Sequence, residues 1–136
     1  MSRLTIFLAR LIGLFAIVVV IALLIRGAAV VELTIASEPL LFMLGLISLG
    51  LGIAMVLVHN VWSGGGLPAA VTIVGWLILA KGIVLTIVPS WRLTQFLDGI
   101  HFGENMYLFL IPALVIGCYL TWAGFSSRYE ESRVSR

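Results

Sequence analysis

The sequence predicts an all-α fold: a polytopic membrane protein built as a four-transmembrane-helix bundle with short loops. Three observations carry that prediction. The chain has 136 residues, of which 62% are hydrophobic and only 10% charged, where an ordinary soluble domain carries about 25% charge. Its mean hydropathy is +1.21, so it lacks the polar groups to cover itself in water, and lipid must be the solvent for much of its surface. The apolar residues are also gathered into four runs, each near the ~20 residues that a helix needs to cross the hydrocarbon core. The length suits one domain covering residues 1–136. A net charge of +2, with basic residues scattered near the ends of the runs, gives no nucleic-acid signal.

The first run is Leu4 to Ile25, interrupted only by Arg10. Leu11 to Ile25, with Arg3 and Arg10 before it and Gly27-Ala28-Ala29 after it, also has the make-up of a signal-peptide core. We read it as an anchored helix whose Arg10 snorkels to the near interface. Arg26 to Glu38 is the first connection. Ser37-Glu38-Pro39 then makes a helix start, with a capping residue, an acid near the positive end and a proline in the first turn. The second span is Leu40 to Val58. Within it Gly45, Ser48 and Gly52 share one face, and such small residues let helices approach closely in lipid.

Ser63-Gly64-Gly65-Gly66-Leu67-Pro68 is a tight turn. A glycine run can cradle an anion, but this one has no lysine or hydroxyl residue at phosphate-loop spacing. The third span is Ala69 to Val88, closed by Pro89. Trp91, Phe96, Leu97 and Ile100 then recur near helical spacing between polar residues, which predicts a short interfacial helix over about 91–98. The fourth span is Met106 to Phe125, where Pro112 removes a backbone donor and frees the carbonyl of Leu108. Ala113, Gly117 and Thr121 form a second small-residue stripe. Residues 126–136 are a polar tail, too short to fold alone.

Four spans put both termini on one side. Arg3, Arg10, Arg128, Arg133 and Arg136 lie there, against Arg26 and Arg92 on the other. The positive-inside rule therefore predicts a multi-pass protein of the cell (inner) membrane with both termini cytoplasmic.

Lys81 is the most costly side chain for its position. It lies two to three residues, about 4 Å, past the centre of the third span, where an ammonium costs roughly 2.5–3.5 kcal/mol. Helical side chains lean toward the helix N-terminus, here back toward the membrane centre, so snorkelling outward is awkward. Glu38 and Glu104 sit near span ends, roughly 10 Å away along the normal. The expectation is a membrane-buried polar pocket of Lys81, Ser48 and the Leu108 carbonyl. The competing readings are an inert, hydrogen-bonded pin and a shifted span in which Lys81 snorkels. His59 and Asn60 close the second span, where they can satisfy unpaired helix carbonyls, with Trp62 in the aromatic belt. Alternatively, His59, Asn60 and Trp76 mark a cytoplasmic mouth, because His59 can change charge near neutral pH and the buried Trp76 indole needs a partner.

The pattern His59-Asn60-x-Trp62, Thr72-x-x-Gly75-Trp76, Lys81-Gly82 and Pro89 resembles a set of small bacterial four-span membrane proteins with no assigned activity. The resemblance implies a fold and a membrane and transfers no chemistry. A first span with Arg10 and no acid sets the chain apart from small multidrug exporters. With two histidines, six acids and one cysteine, Cys118, inside a span, no catalytic triad, metal cluster or nucleotide loop can be assembled, and no cofactor is expected, His59 alone being left as a haem ligand. The leading expectation is a non-enzymatic membrane protein that self-associates or packs with a larger membrane partner. The alternative is a channel or carrier for a small ion, perhaps an anion, using Lys81.

Overall fold

The structure, a computed structural model, describes residues 2–134, with side chains through residue 126. It contains α1 (Arg3–Arg26), α2 (Ala29–Ala36), α3 (Glu38–Val58), α4 (Gly66–Ile87), α5 (Ser90–Gly99) and α6 (Phe102–Val134), with no strand among the described residues. Four helices are long and apolar enough to cross a membrane: α1, α3, α4 and the part of α6 up to Ser126. The all-α, four-span class therefore stands, with each span within four residues of its expected bounds. A helix also forms where one was expected at about 91–98, as α5.

Three local expectations are corrected. The first connection, to which the sequence assigned no helix, contains α2 at Ala29–Ala36. The glycine turn is shorter than its sequence suggests. Gly64 and Gly65 make it, at φ of 96° and 120°, a backbone region that favours glycine. Helix α4 then starts at Gly66, and Pro68 falls in its first turn, where no backbone donor is needed. The polar tail does not stand apart, since the backbone continues α6 to Val134.

Helix starts use side chains in different ways. The Ser2 hydroxyl accepts a hydrogen bond from the Thr5 amide at 3.1 Å, capping α1. Ser37 occupies the cap position of α3 but makes no side-chain cap bond. The neighbouring Glu38 carboxylate accepts instead from the backbone N–H of Ser90 at 3.0 Å. Ser90 opens α5, so an acid on α3 serves the positive end of α5. His101, in the left-handed region at φ 51°, turns the corner from α5 to α6.

The long helices pack as two antiparallel pairs, α3 on α4 and α1 on α6. In lipid, apolar surfaces gain nothing by hiding from water, so helix pairs depend on close packing. Both pairs use the same device. A Cβ on Gly45 would lie 2.8 Å from the backbone nitrogen of Thr86, and one on Gly13 would lie 2.7 Å from that of Thr121. Each threonine folds its hydroxyl back to donate to the carbonyl four residues earlier, Thr86 to Gly82 at 2.7 Å and Thr121 to Gly117 at 2.8 Å. Gly82 in turn meets the backbone of Ser48 and Leu49, and Gly117 meets Ala16 and Gly13.

The two pairs meet at the end that bears the termini, where Ala9, Leu67, Val71 and Leu120 form a buried cluster. At the opposite end a second cluster, Val20, Met106 and Leu110, lies between α1 and α6 and takes no core member from α3 or α4. There α2 lies against α5 and bridges the pairs.

Adding one methyl group tests the close approach. A Cβ on Gly52 would lie 2.5 Å from the Leu79 backbone nitrogen, whereas Gly50 on the same helix has nothing within 4 Å. Gly52→Ala should lose about 1–3 kcal/mol, read as a lower circular-dichroism melting temperature in detergent, while Gly50→Ala should not lower it.

Candidate functional site

The rotation of α4 is fixed by its glycines. Gly75 rests on Met55, and Gly82 on the backbone of Ser48 and Leu49. Lys81 precedes Gly82 and therefore points about 100° around the helix, away from α3. Its side chain is exposed, with no hydrogen-bond or ion-pair partner among the described residues. Because α4 starts three residues earlier than expected, its midpoint moves as well. Lys81 lies six residues before Ile87, about 9 Å from that end and about 7 Å past the middle.

The pocket expected from Lys81, Ser48 and Leu108 is not formed within one chain. Ser48 is partly buried, and its backbone lies under Gly82. Leu108 is 68% exposed on α6. The pairs touch through the Ala9–Leu67–Val71–Leu120 cluster near the termini, whereas Lys81 and Leu108 lie nearer the other end. The physical reason is that the glycine contacts hold α3 and α4 too close together for a polar cavity between them. The ion-pathway reading thus loses its intrachain pocket.

The group expected at the mouth also separates. His59 ends α3 and is 3% exposed; its Nε2 is buried with no hydrogen-bond partner among the described residues. Asn60 faces outward, and its side-chain oxygen accepts from the Trp62 indole at 2.8 Å. Trp76 is 45% exposed, and its indole makes no hydrogen bond to His59 or to any described residue. The loop is held by a residue outside the candidate set. Thr72, 1% exposed, accepts from the Val61 amide at 3.1 Å and donates to the Val61 carbonyl at 3.0 Å.

Arg10 finds its partners on α6, at the end of the fourth span. Its Nε donates to the Gly124 carbonyl at 2.9 Å, and its guanidinium carbon lies 4.5 Å from the Phe125 ring centroid. This ties the start of α1 to α6 by a charge-assisted bond and a cation–π contact. The two small-residue stripes pack within the chain. Gly45 and Gly52 are buried against α4, with Ser48 between them, and Gly117 and Thr121 meet α1 at Gly13. Ala113 packs beside the Val20–Met106–Leu110 cluster.

An open cavity lies at the opposite end, between α2 and α5. It has a volume of about 360 Å³ and is lined by Glu32, Leu33, Thr94, Leu97 and Asp98 among others. A neighbouring hollow of about 250 Å³ adds His101 and Glu104. The described residues hold no group of three or more His, Cys, Asp or Glu able to grip a metal ion.

No family model, curated protein or solved structure matches the chain.

Most of the pattern quoted from the sequence is therefore architectural. His59, Thr72, Gly75 and Gly82 build the α3–α4 hairpin, and Pro89 is the residue before α5. Lys81 and Trp76 belong to the same pattern but face outward. Thr72 and Thr86 were not singled out as structural residues, although Gly82-x-x-x-Thr86 repeats the spacing of Gly117-x-x-x-Thr121. Thr72→Val should remove both bonds to Val61, lower stability by about 1 kcal/mol and speed amide hydrogen exchange at Val61 roughly fivefold, measured by exchange mass spectrometry.

Proposed function

We propose that this is a non-enzymatic integral membrane protein of the cell (inner) membrane, with both termini cytoplasmic, that works by packing against another membrane protein. The observation that carries this reading is Lys81. It is an ammonium on the outside of a helix suited to span a membrane, and it has no partner among the described residues of its own chain. Hydrocarbon around such a group is unfavourable, and charged side chains at this depth normally face other helices or water. A neighbour outside the chain removes that conflict.

Two further points support the reading. The small-residue stripes, which by themselves would suit self-association, are already occupied between α3 and α4 and between α1 and α6. This favours a different partner over a second copy. The two histidines do not meet either, since His59 is buried at the end of α3 and His101 is exposed at the α5–α6 corner.

Extraction of the full-length protein from its own membrane in polymer nanodiscs, followed by native mass spectrometry, tests the proposal. The expected result is an assembly heavier than the 14.8 kDa chain that contains a second membrane protein. A strict monomer with no co-purifying protein overturns it.

A further inference from the structure

Resting on that reading, we infer that α4 docks one transmembrane helix of a different protein, and that this helix carries an Asp or Glu at the depth of Lys81.

Ile73, Leu77, Ala80, Val84 and Ile87 are all exposed along one side of α4. Their spacing of four, three, four and three is that of a helix-packing seam, and Ala80 at its centre permits close approach. Exposed apolar residues alone require nothing but lipid. Lys81 breaks that rule, because it sits beside Ala80 with Leu77 one turn before it and Val84 one turn after it on the same face. The seam supplies shape, and the ammonium supplies a demand for negative charge.

The chain itself cannot meet that demand, nor can a second copy. None of its six acids lies in the middle of a span. Glu38 and Glu104 are in the first turns of α3 and α6, at the end of the bundle that α4 reaches near Ile87, about 9 Å beyond Lys81. Glu38 is already engaged by the Ser90 amide. The remaining acids are Glu32 in α2, Asp98 in α5, and Glu130 and Glu131 beyond the spanning part of α6. A lipid phosphate is a poor match, because the lysine stem leans toward the N-terminal end of α4 and the membrane interior, away from the nearer headgroups. A carboxylate on a neighbouring helix can lie at the required depth and on the required side.

Site-specific photocrosslinking tests this in the full chain produced in its own cells. A benzoylphenylalanine at position 77 or 80 should capture one discrete membrane protein, and a probe at the distant, exposed Ile111 should not. Lys81→Met should cut the capture at least tenfold, and Lys81→Arg should preserve it, with unchanged circular-dichroism melts showing that all variants fold. The captured span must contain an acid near the crosslink. Lys81→Glu should abolish capture, and replacing that acid with Lys in the partner should restore it. Capture that survives Lys81→Met, or a captured span without an acid, overturns this inference and leaves partner packing standing. Crosslinks only to lipid or to a second copy also overturn it. No protein captured by any probe, together with a strict monomer in nanodiscs, overturns both.

Discussion

The structure depends on direct backbone contact between helices at glycine. Gly45 on Thr86 and Gly13 on Thr121 bring paired helices so close that no side chain fits between them. In a bilayer this contact replaces the oily core of a soluble bundle, because lipid tails compete equally well for every leucine. Large apolar side chains accordingly point outward, and Ile25, Leu57, Ile87 and Trp122 are among the most exposed large hydrophobic residues described. The threonines at the two contacts bond to their own helices, so neither hydroxyl hydrogen is stranded at the dry interface.

Rotation follows from these contacts. Once Gly75 and Gly82 are seated on α3, every other residue of α4 has a fixed bearing. Thr72 reaches back to the loop that joins α3 to α4, Val71 enters the cluster shared with α1 and α6, and Lys81 turns outward. The placement of the one lysine is thus a by-product of where two glycines must lie.

Much of this was legible in the residues, and the rest was hidden for physical reasons. Hydropathy revealed the four spans because a membrane demands long uninterrupted apolar runs. The stripes Gly45-Ser48-Gly52 and Ala113-Gly117-Thr121 were visible as packing faces, but periodicity along one helix cannot name the helix opposite. Nothing local announced that α1 pairs with α6. Helix α2 was missed because AVVELTIA is short, rich in β-branched residues and without a side-chain cap; its neighbours α5 and α3 hold it. Lys81 was misjudged in azimuth. Its depth could be counted along the chain, but its bearing depended on which face the glycines chose, and Gly82 beside it was the unused clue. The partner of Arg10 was hidden in the same way, because the carbonyl that receives it belongs to a residue 114 positions away.

The pairing of the first span with the last has a consequence for how the molecule is made. Helices α3 and α4 are neighbours in sequence and can zip together as soon as both have left the ribosome. Helix α1 must wait while the 75 residues between Arg26 and Phe102 are added, roughly 4–15 s at ordinary rates of translation. Throughout that interval its glycine face and Arg10 lie open in the bilayer or against the insertion machinery. Pairing of α1 with α6 therefore comes after the α3–α4 hairpin can form, with Gly124 arriving late to receive the guanidinium of Arg10.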